Sequence, residues 1–313
     1  MRGRLQNAGS RFFHRVCGEE CGRGAAPKRR SLPIRLLTFA LAVLLGILPA
    51  LLPAEKAEAA GSQEMTNLVV FVKGYDDSKD SFNATLNGVS NWQEIKKLYD
   101  LGTTGTTTTG FNNSFTSFIS AVTNGKYSVK NYFPQERSGG GGVNTYQLSG
   151  NVSDYDALVR DVLGAFNRGE IVLNQPGVKL DHLRSGILDN LTIMIQGKIQ
   201  GISSSIHKEY GGSETVGGVV VRDYNVVQTD SMIYDPPVPS SSTRQGVIAH
   251  EFLHTLGLPD LYRGSSNSAP GDPVGMWDLM AKGTNFMQFP LSYLRARQGW
   301  ISMGTITQSG TYT

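Results

Sequence analysis

Two histidines and a glutamate are spaced as metal-assisted hydrolysis requires. They lie in the stretch GVIAHEFLHTLGLPDLYRG, residues 246–264, with Glu251 directly after His250 and with His254 four residues after His250. On an α-helix, residues four apart lie one above the other, so both imidazoles can bind one zinc ion. Glu251 is offset by about 100°, so it can instead activate the zinc-bound water and pass its proton to a leaving amine. The pattern predicts a zinc hydrolase with Glu251 as general base.

A catalytic zinc ion needs a third protein ligand and one open coordination position. The sequence after the motif contains no histidine or glutamate, and its acidic residues are Asp260, Asp272 and Asp278. Gly257 permits a left-handed turn out of the helix and Pro259 stiffens the returning chain, so Asp260 can come back to the ion. The residues alone therefore predict His250, His254 and one of these three aspartates as metal ligands.

Three segments of the second half of the chain resemble one known family. They are HEFLHTLGLPDLY (250–262), VGMWDLMAKG (274–283) and FPLSYLRARQGWI (289–301). The first resembles the metzincin form H-E-x-x-H-x-x-G-x-x-D, which implies that His250, His254 and Asp260 bind the metal. All three segments resemble the immune inhibitor A family of secreted bacterial metallopeptidases. The resemblance implies an endopeptidase that acts on proteins or peptides. It also implies a metzincin-like α/β zincin fold, with a mixed twisted sheet, an active-site helix and a loop-rich C-terminal subdomain.

Met280 in DLMAKG matches the methionine-bearing turn that lies under the metal in metzincins. The resemblance implies that Met280 supports the imidazoles without binding the ion, and a methionine that only fills the core is the alternative. Asp278, which adjoins this turn, can brace it instead of binding metal. Tyr262 and Tyr293 are candidates for stabilising an oxyanion, and a purely structural role is the alternative for both.

Strand and helix patterns alternate before the motif. Apolar or alternating runs predict strands at 67–74, 126–134, 190–197 and 217–227. Periodic segments with start and stop signals predict helices at 91–100, 113–125 and 153–169. The segment SSTRQGVIAHEFLHTLG is predicted to form the motif helix, capped by a serine or threonine and ended by Gly257.

This order predicts one α/β catalytic domain over residues 60–313. Its upper subdomain extends to about residue 257, and a loop-rich lower subdomain occupies 258–313. We expect the strand at 217–227 to offer a sheet edge to which an extended substrate adds as a further strand.

Residues 1–59 are predicted to be an export leader. They contain the apolar run 36–52 after a basic stretch, and Ala57-Glu58-Ala59 offers a cleavage site, so cleavage is expected near Ala59–Ala60. An uncleaved membrane anchor is the alternative. Cys17 and Cys21, the only cysteines, lie in this leader, so the secreted protein would contain no disulfide. We predict an extracellular bacterial protein.

The net charge of +3 comes from the leader, because residues 60–313 hold 19 basic and 22 acidic residues. The body of the protein therefore offers no basic footprint for nucleic acid. A membrane contact is expected only through an uncleaved leader, and a monomer is the default expectation.

Other features give weaker predictions. Asp76, Asp77 and Asp80 in GYDDSKD can bind calcium, and a solvated turn is the alternative. His182 and His207 are isolated and are expected to be surface histidines in loops. Two functions compete with a zinc endopeptidase: a non-catalytic zinc-containing binding or adhesive protein, and a metal hydrolase of non-peptide amides.

Overall fold

The computed structural model of the protein describes residues 61–86, 88–100, 114–229, 245–262, 274–281, 287–304 and 307. These residues belong to one compact unit, Ala59–Thr313. None of the helices described in it is long and apolar enough to cross a membrane. The predicted leader, Asp272 and the predicted cap of the motif helix lie outside the described residues.

The described part of the chain contains ten strands. They are β1 (Gln63–Lys73), β2 (Thr85–Leu86), β3 (Val89–Ser90), β4 (Tyr127–Tyr132), β5 (Tyr146–Gln147), β6 (Asn190–Gln196), β7 (Ile206–Glu209), β8 (Thr215–Val216), β9 (Val219–Val220) and β10 (Asp223–Gln228). Six form the main sheet in the order β4-β1-β6-β10-β7, with β5 paired to β1. All its pairs are parallel except that of β7 with β10. The predicted mixed sheet is confirmed.

Five α-helices are described. They are α1 (Asn91–Tyr99), α2 (Phe115–Val122), α3 (Tyr155–Asn167), α4 (Gln245–Thr255) and α5 (Ser292–Arg297). At the start of α1, Ser90 and Gln93 each accept the other's backbone N–H in a capping box. At the start of α3, Asp154 accepts the N–H of Ala157. The helices predicted before the motif are thus all present, within a few residues of the predicted bounds.

The sheet is buried on both faces. Val69 and Phe71 of β1 face a core shared with α1, α2 and α4, called here the α4-side core. Leu68 and Val70 face a second core shared with α3, called here the α3-side core. A strand covered on both sides has no solvent face, which explains why the sequence of β1 is an almost continuous apolar run.

The edge of the sheet differs from the prediction. Residues 217–227 form parts of two strands, β9 and β10, and β10 lies between β6 and β7. The expected edge strand is therefore an interior strand, and that prediction was wrong. The edge is β7, which has an antiparallel partner in β10. The apolar pattern of β10 reflects burial on both faces, whereas β7 is only half-buried, as suits an edge.

Candidate active site

Helix α4 carries the motif and is anchored by its apolar side. Phe252 and Leu253 are buried in the α4-side core. The helix ends at Thr255, and Gly257, two residues later, has a φ of 87°, a value that residues with a Cβ rarely adopt. The N–H of Leu258 donates to the Leu253 carbonyl at 3.1 Å, and that of Gly257 to the His254 carbonyl at 2.8 Å. This left-handed ending, which the sequence predicted, turns the chain back along the helix.

The returning chain brings Asp260 to both histidines. Its Oδ1 lies 3.1 Å from His250 Nε2 and 3.3 Å from His254 Nε2. One donor atom from each of the three residues lies within 4.8 Å of the other two. Among the described residues, no other group of three histidine, cysteine or acidic side chains comes together in this way.

The orientation of the two imidazoles suits a metal ion. His250 Nδ1 lies 2.9 Å from the Leu279 carbonyl, and His254 Nδ1 lies 2.7 Å from the Leu258 carbonyl. A carbonyl only accepts hydrogen bonds, so each Nδ1 donates and each Nε2 is left to bind a cation. Two imidazole nitrogens and one carboxylate oxygen form a typical donor set for zinc.

The electrostatics of this group favour a positive charge at its centre. Burial opposes the charged form of Asp260, but hydrogen bonds from His250 and His254 hold its pKa far below the ordinary value. Burial likewise opposes protonation of His250, yet its contacts with Asp260 and the Leu279 carbonyl raise its pKa above the ordinary value. The same contacts would stabilise a bound cation.

Glu251 lies beside this group without belonging to it. The residue is 6% exposed, and burial raises its pKa to about 7. The nearby backbone N–H of His207 offsets this rise only in small part. Glu251, His254 and Asp260 line a cavity of about 300 Å³, together with Ile206 and His207 of the edge strand β7. A carboxyl group with this pKa can both take up and release a proton near neutral pH.

His207 is not the isolated surface histidine that the sequence suggested. It lies on β7, its ring centre is 5.7 Å from that of His254, and burial lowers its pKa. The prediction was wrong because β7 is too short for its sequence to show a strand pattern. His182 does lie outside helices and strands, but its Nε2 is 3.3 Å from Glu64 Oε1, so it is not isolated either.

Asp278 and Met280 flank Leu279, whose carbonyl contacts His250. Asp278 is fully buried, and its carboxylate accepts the backbone N–H groups of Met280 and Leu291, each at 2.7 Å. The carbonyl of Met280 accepts the N–H of Leu261 at 2.9 Å. Asp278 therefore braces the turn that contains Met280, as the sequence allowed. Met280 is fully buried in the α4-side core, and its equivalence to the metzincin turn stays a prediction.

The two tyrosines named from the sequence differ in position. Tyr262 lines the cavity, and its ring stacks on His250 with centres 6.2 Å apart. Burial, followed by the charge of Asp260, raises the pKa of Tyr262 to about 12, so its hydroxyl keeps its proton. Tyr293 is 64% exposed on α5 and does not line the cavity. Of the two, Tyr262 alone is placed to contact a substrate there.

Asp77 and Asp80, which were considered as calcium ligands, accept hydrogen bonds from other groups of the protein. Asp77 accepts the N–H of Lys79 at 2.9 Å and the side-chain amide of Gln196 at 2.9 Å. Asp80 accepts bonds from Thr145 and from a neighbouring asparagine. These contacts are those of a structured turn, and the prediction of calcium is not supported.

The sequence was also compared with known proteins. Among curated proteins, no sequence matches the chain. A family profile described as "immune inhibitor A peptidase M6, catalytic domain" matches residues 62–289. The match covers the main sheet, α4 and the returning chain with Asp260, and it extends over well more than half of the sequence. The chain therefore belongs to the immune inhibitor A peptidase M6 family, and its domain is that of a metallopeptidase.

Proposed function

We propose that the protein is a secreted zinc-dependent endopeptidase that hydrolyses peptide bonds in proteins. One observation carries this proposal: the buried carboxylate of Glu251 opens on the same cavity as the donor atoms of His254 and Asp260. A site with a purely structural metal has no use for a general base next to its ligands.

The proposed metal ligands are His250, His254 and Asp260. Their donor set, two imidazole nitrogens and one carboxylate oxygen, leaves a fourth tetrahedral position for water or substrate. Zn²⁺ bound there would polarise a peptide carbonyl and make water more acidic. The carbonyls of Leu279 and Leu258 hold the two imidazoles in the required tautomer.

Glu251 is the proposed general base. Its carboxylate takes a proton from the attacking water and then delivers that proton to the amine that leaves. A pKa of about 7 suits both halves of this transfer. Glu251 shares its cavity with Ile206 and His207 of β7.

The edge strand β7 is the proposed binding surface for the substrate backbone. It is half-buried, pairs with β10, and places Ile206 and His207 along the cavity, with Ser205 just before the strand. An extended peptide can add to such an edge through main-chain hydrogen bonds. Recognition of the main chain requires no chain terminus, which fits cleavage inside a protein.

The remaining sequence predictions stay part of this proposal. We infer that residues 1–59 are a leader cleaved near Ala59–Ala60 and that the protein is extracellular and monomeric. We also infer an upper subdomain to about residue 257 and a lower one over 258–313. N-terminal sequencing of the exported protein should begin near Ala60, and an intact leader would indicate a membrane anchor.

A cleavage assay tests the function. The full-length chain, secreted by an expressing bacterium, is given an internally quenched peptide blocked at both termini. Cleavage should stop with a chelator and return when Zn²⁺ is added back. A chain that holds zinc but cleaves no peptide would favour a binding or adhesive protein. Activity restricted to small non-peptide amides would favour the other alternative.

A further inference from the structure

A row of amide side chains crosses the sheet on the face that carries α4. Asn131 of β4, Asn67 of β1, Asn190 of β6 and Asn225 of β10 form it, and His207 of β7 ends it. Asn67, Asn190 and Asn225 are at most 1% exposed. Amides buried to this extent need hydrogen-bond partners. Here they find them in one another.

Every bond in the row points the same way. Asn225 Nδ2 donates to Asn190 Oδ1 at 3.2 Å, and Asn190 Nδ2 donates to Asn67 Oδ1 at 2.8 Å. Asn67 Nδ2 donates to Asn131 Oδ1 at 3.0 Å, and Asn131 Nδ2 donates to Asp100 Oδ1 at 3.1 Å. Amides aligned head to tail polarise one another, which strengthens each bond.

The carboxylate of Asp100 sets this direction. A carboxylate only accepts hydrogen bonds, so Asn131 turns its amide nitrogen toward Asp100 and its oxygen toward Asn67. The same orientation then passes from amide to amide. Thr255 of α4 reinforces it, because its hydroxyl donates to Asn190 Oδ1 at 2.9 Å. With strands about 4.8 Å apart, the row carries this orientation over roughly 19 Å.

At the other end, the row determines which ring nitrogen of His207 carries the proton. Its Nδ1 lies 2.9 Å from Asn225 Oδ1, an atom that carries no hydrogen. Nδ1 must therefore be the protonated nitrogen, and in the neutral ring Nε2 carries a lone pair. Because His207 lines the same cavity as Glu251 and His254, this lone pair is available close to the proposed base.

We propose that His207 is a further catalytic residue whose unprotonated Nε2 accepts a hydrogen bond from a peptide N–H group of the substrate. Asp100 and the four asparagines are positioning residues that hold its tautomer. This inference rests on the proposed function and names a contact within that site.

A substrate N–H group is the partner that fits the chemistry. Without a proton, Nε2 cannot donate to a carbonyl oxygen or stabilise negative charge on it. The proton of the attacking water already has an acceptor in Glu251. A peptide laid along β7 carries backbone N–H groups past His207, which lies on that strand.

The tautomer is measured on the full-length chain labelled with ¹⁵N in histidine, by two-bond proton–nitrogen correlation spectra. At a pH where the ring is neutral, His207 should show a protonated Nδ1 and an unprotonated Nε2, with and without Zn²⁺. His182→Gln removes a histidine outside the row and should leave these signals in place. A protonated Nε2 at His207 would overturn the proposal even if the protein proves to be a peptidase.

Asp100→Asn tests the positioning role. An asparagine side chain donates as well as accepts, so the row loses its imposed direction and the second tautomer of His207 should appear. Asp156→Asn is the matched control, because Asp156 accepts the Tyr224 hydroxyl at 2.9 Å outside the row. An unchanged His207 spectrum in Asp100→Asn would refute the role of the carboxylate.

The substrate contact is measured with peptides N-methylated at one position at a time. In the parent, one methylation should lower kcat/KM roughly 3- to 10-fold, as for one lost hydrogen bond. In His207→Leu, the same methylation should have little further effect. Steric effects and main-chain contacts to β7 act equally in both proteins and show no such coupling. His182→Leu should keep the pattern of the parent.

Zinc content separates this role from metal binding. His207→Leu should hold as much zinc as the parent, and loss of zinc would make His207 a ligand and overturn the proposal. The absence of any coupled position would also overturn it. If the parent cleaves no peptide, the proposed function and the catalytic role of His207 both fail, while the spectra still decide whether the amide row sets the tautomer.

Discussion

At the β7 edge of the sheet His250 and His254 meet Asp260, and near β4 at the other edge His182 meets Glu64. Glu64 and His182 line a cavity of about 790 Å³, which is larger than the cavity of about 300 Å³ beside Asp260. The carboxylate of Glu64, however, is already paired: Lys130 Nζ lies 2.7 Å from Glu64 Oε2 and lowers the pKa of Glu64.

This difference separates a surface ion pair from a site for a cation. A lysine ammonium satisfies the carboxylate of Glu64, so a metal ion there would have to displace a charge that is part of the protein. Among the described residues, the ion-pair partners of Asp260 are instead two imidazoles, whose nitrogens can bind a metal ion when they carry no proton. The contrast between the two edges is open to direct test.

The largest difference should come from removing one histidine at each edge. His254→Ala is expected to lose bound zinc and all measurable proteolysis, since the ion would keep only two protein ligands. His182→Ala should retain both. Metal analysis of the purified variants decides the matter, and full zinc occupancy in His254→Ala would remove the site assignment.

The next difference concerns the carboxylates that are not ligands. Glu251→Gln keeps the shape of the side chain but loses the base, so kcat should fall on the order of 10²- to 10⁴-fold while zinc is retained. Glu64→Gln at the other edge should leave kcat near that of the parent. Substantial proteolysis by Glu251→Gln would indicate a different base.

Substitution of Asp260 should chiefly lower zinc affinity, whereas substitution of Asp278 should chiefly lower stability. Zinc titration should show that Asp260→Ala lowers the affinity by well more than roughly 10- to 100-fold. That smaller loss is typical when a carboxylate that only hydrogen-bonds to a metal ligand is removed. Asp278→Ala should chiefly lower the free energy of unfolding, because each buried N–H left without a partner costs about 1–3 kcal/mol. Zinc is titrated into Asp272→Ala in the same way, because Asp272 is the remaining candidate for the third ligand. If Asp260→Ala binds zinc like the parent while another variant does not, the ligand set is wrong.

The smallest effect is expected at the turn that returns the chain to His250 and His254. Gly257→Ala forces a Cβ into a left-handed conformation, at about 1–2 kcal/mol, and places it 3.0 Å from Gln298 Nε2. Thermal unfolding should shift to lower temperature and zinc affinity should weaken. Gly150→Ala is the control, since a Cβ there meets nothing within 4 Å and its φ is not left-handed. Equal melting temperatures would show that the turn carries no strain.

Local sequence was enough to predict the parts of the site that follow one another in the chain. The spacing of His250 and His254 predicted their shared helix face, and Gly257 predicted the turn that brings Asp260 back. These are short-range consequences of helix geometry and backbone conformation. That the three residues bind zinc stays a prediction.

Contacts between distant segments could not be predicted in the same way. β7 reaches the site only because it pairs with β10, which comes later in the chain, so His207 appeared isolated in the sequence. The amide row likewise depends on which strands are neighbours. Asn67 and Asn190 stood at the start of apolar runs that predicted strands, but nothing local showed that they would be hydrogen-bonded partners.

The two cores differ in their tryptophan content, and this difference determines which part of the protein tryptophan fluorescence will report. Trp92 and Trp300 are buried in the α4-side core, while Trp277 is 84% exposed. The described part of the α3-side core contains tyrosines and no tryptophan. Intrinsic tryptophan emission will therefore follow the half of the molecule that carries α4, and far-ultraviolet circular dichroism will follow the whole. The two denaturation curves will coincide only if both halves unfold in a single cooperative transition.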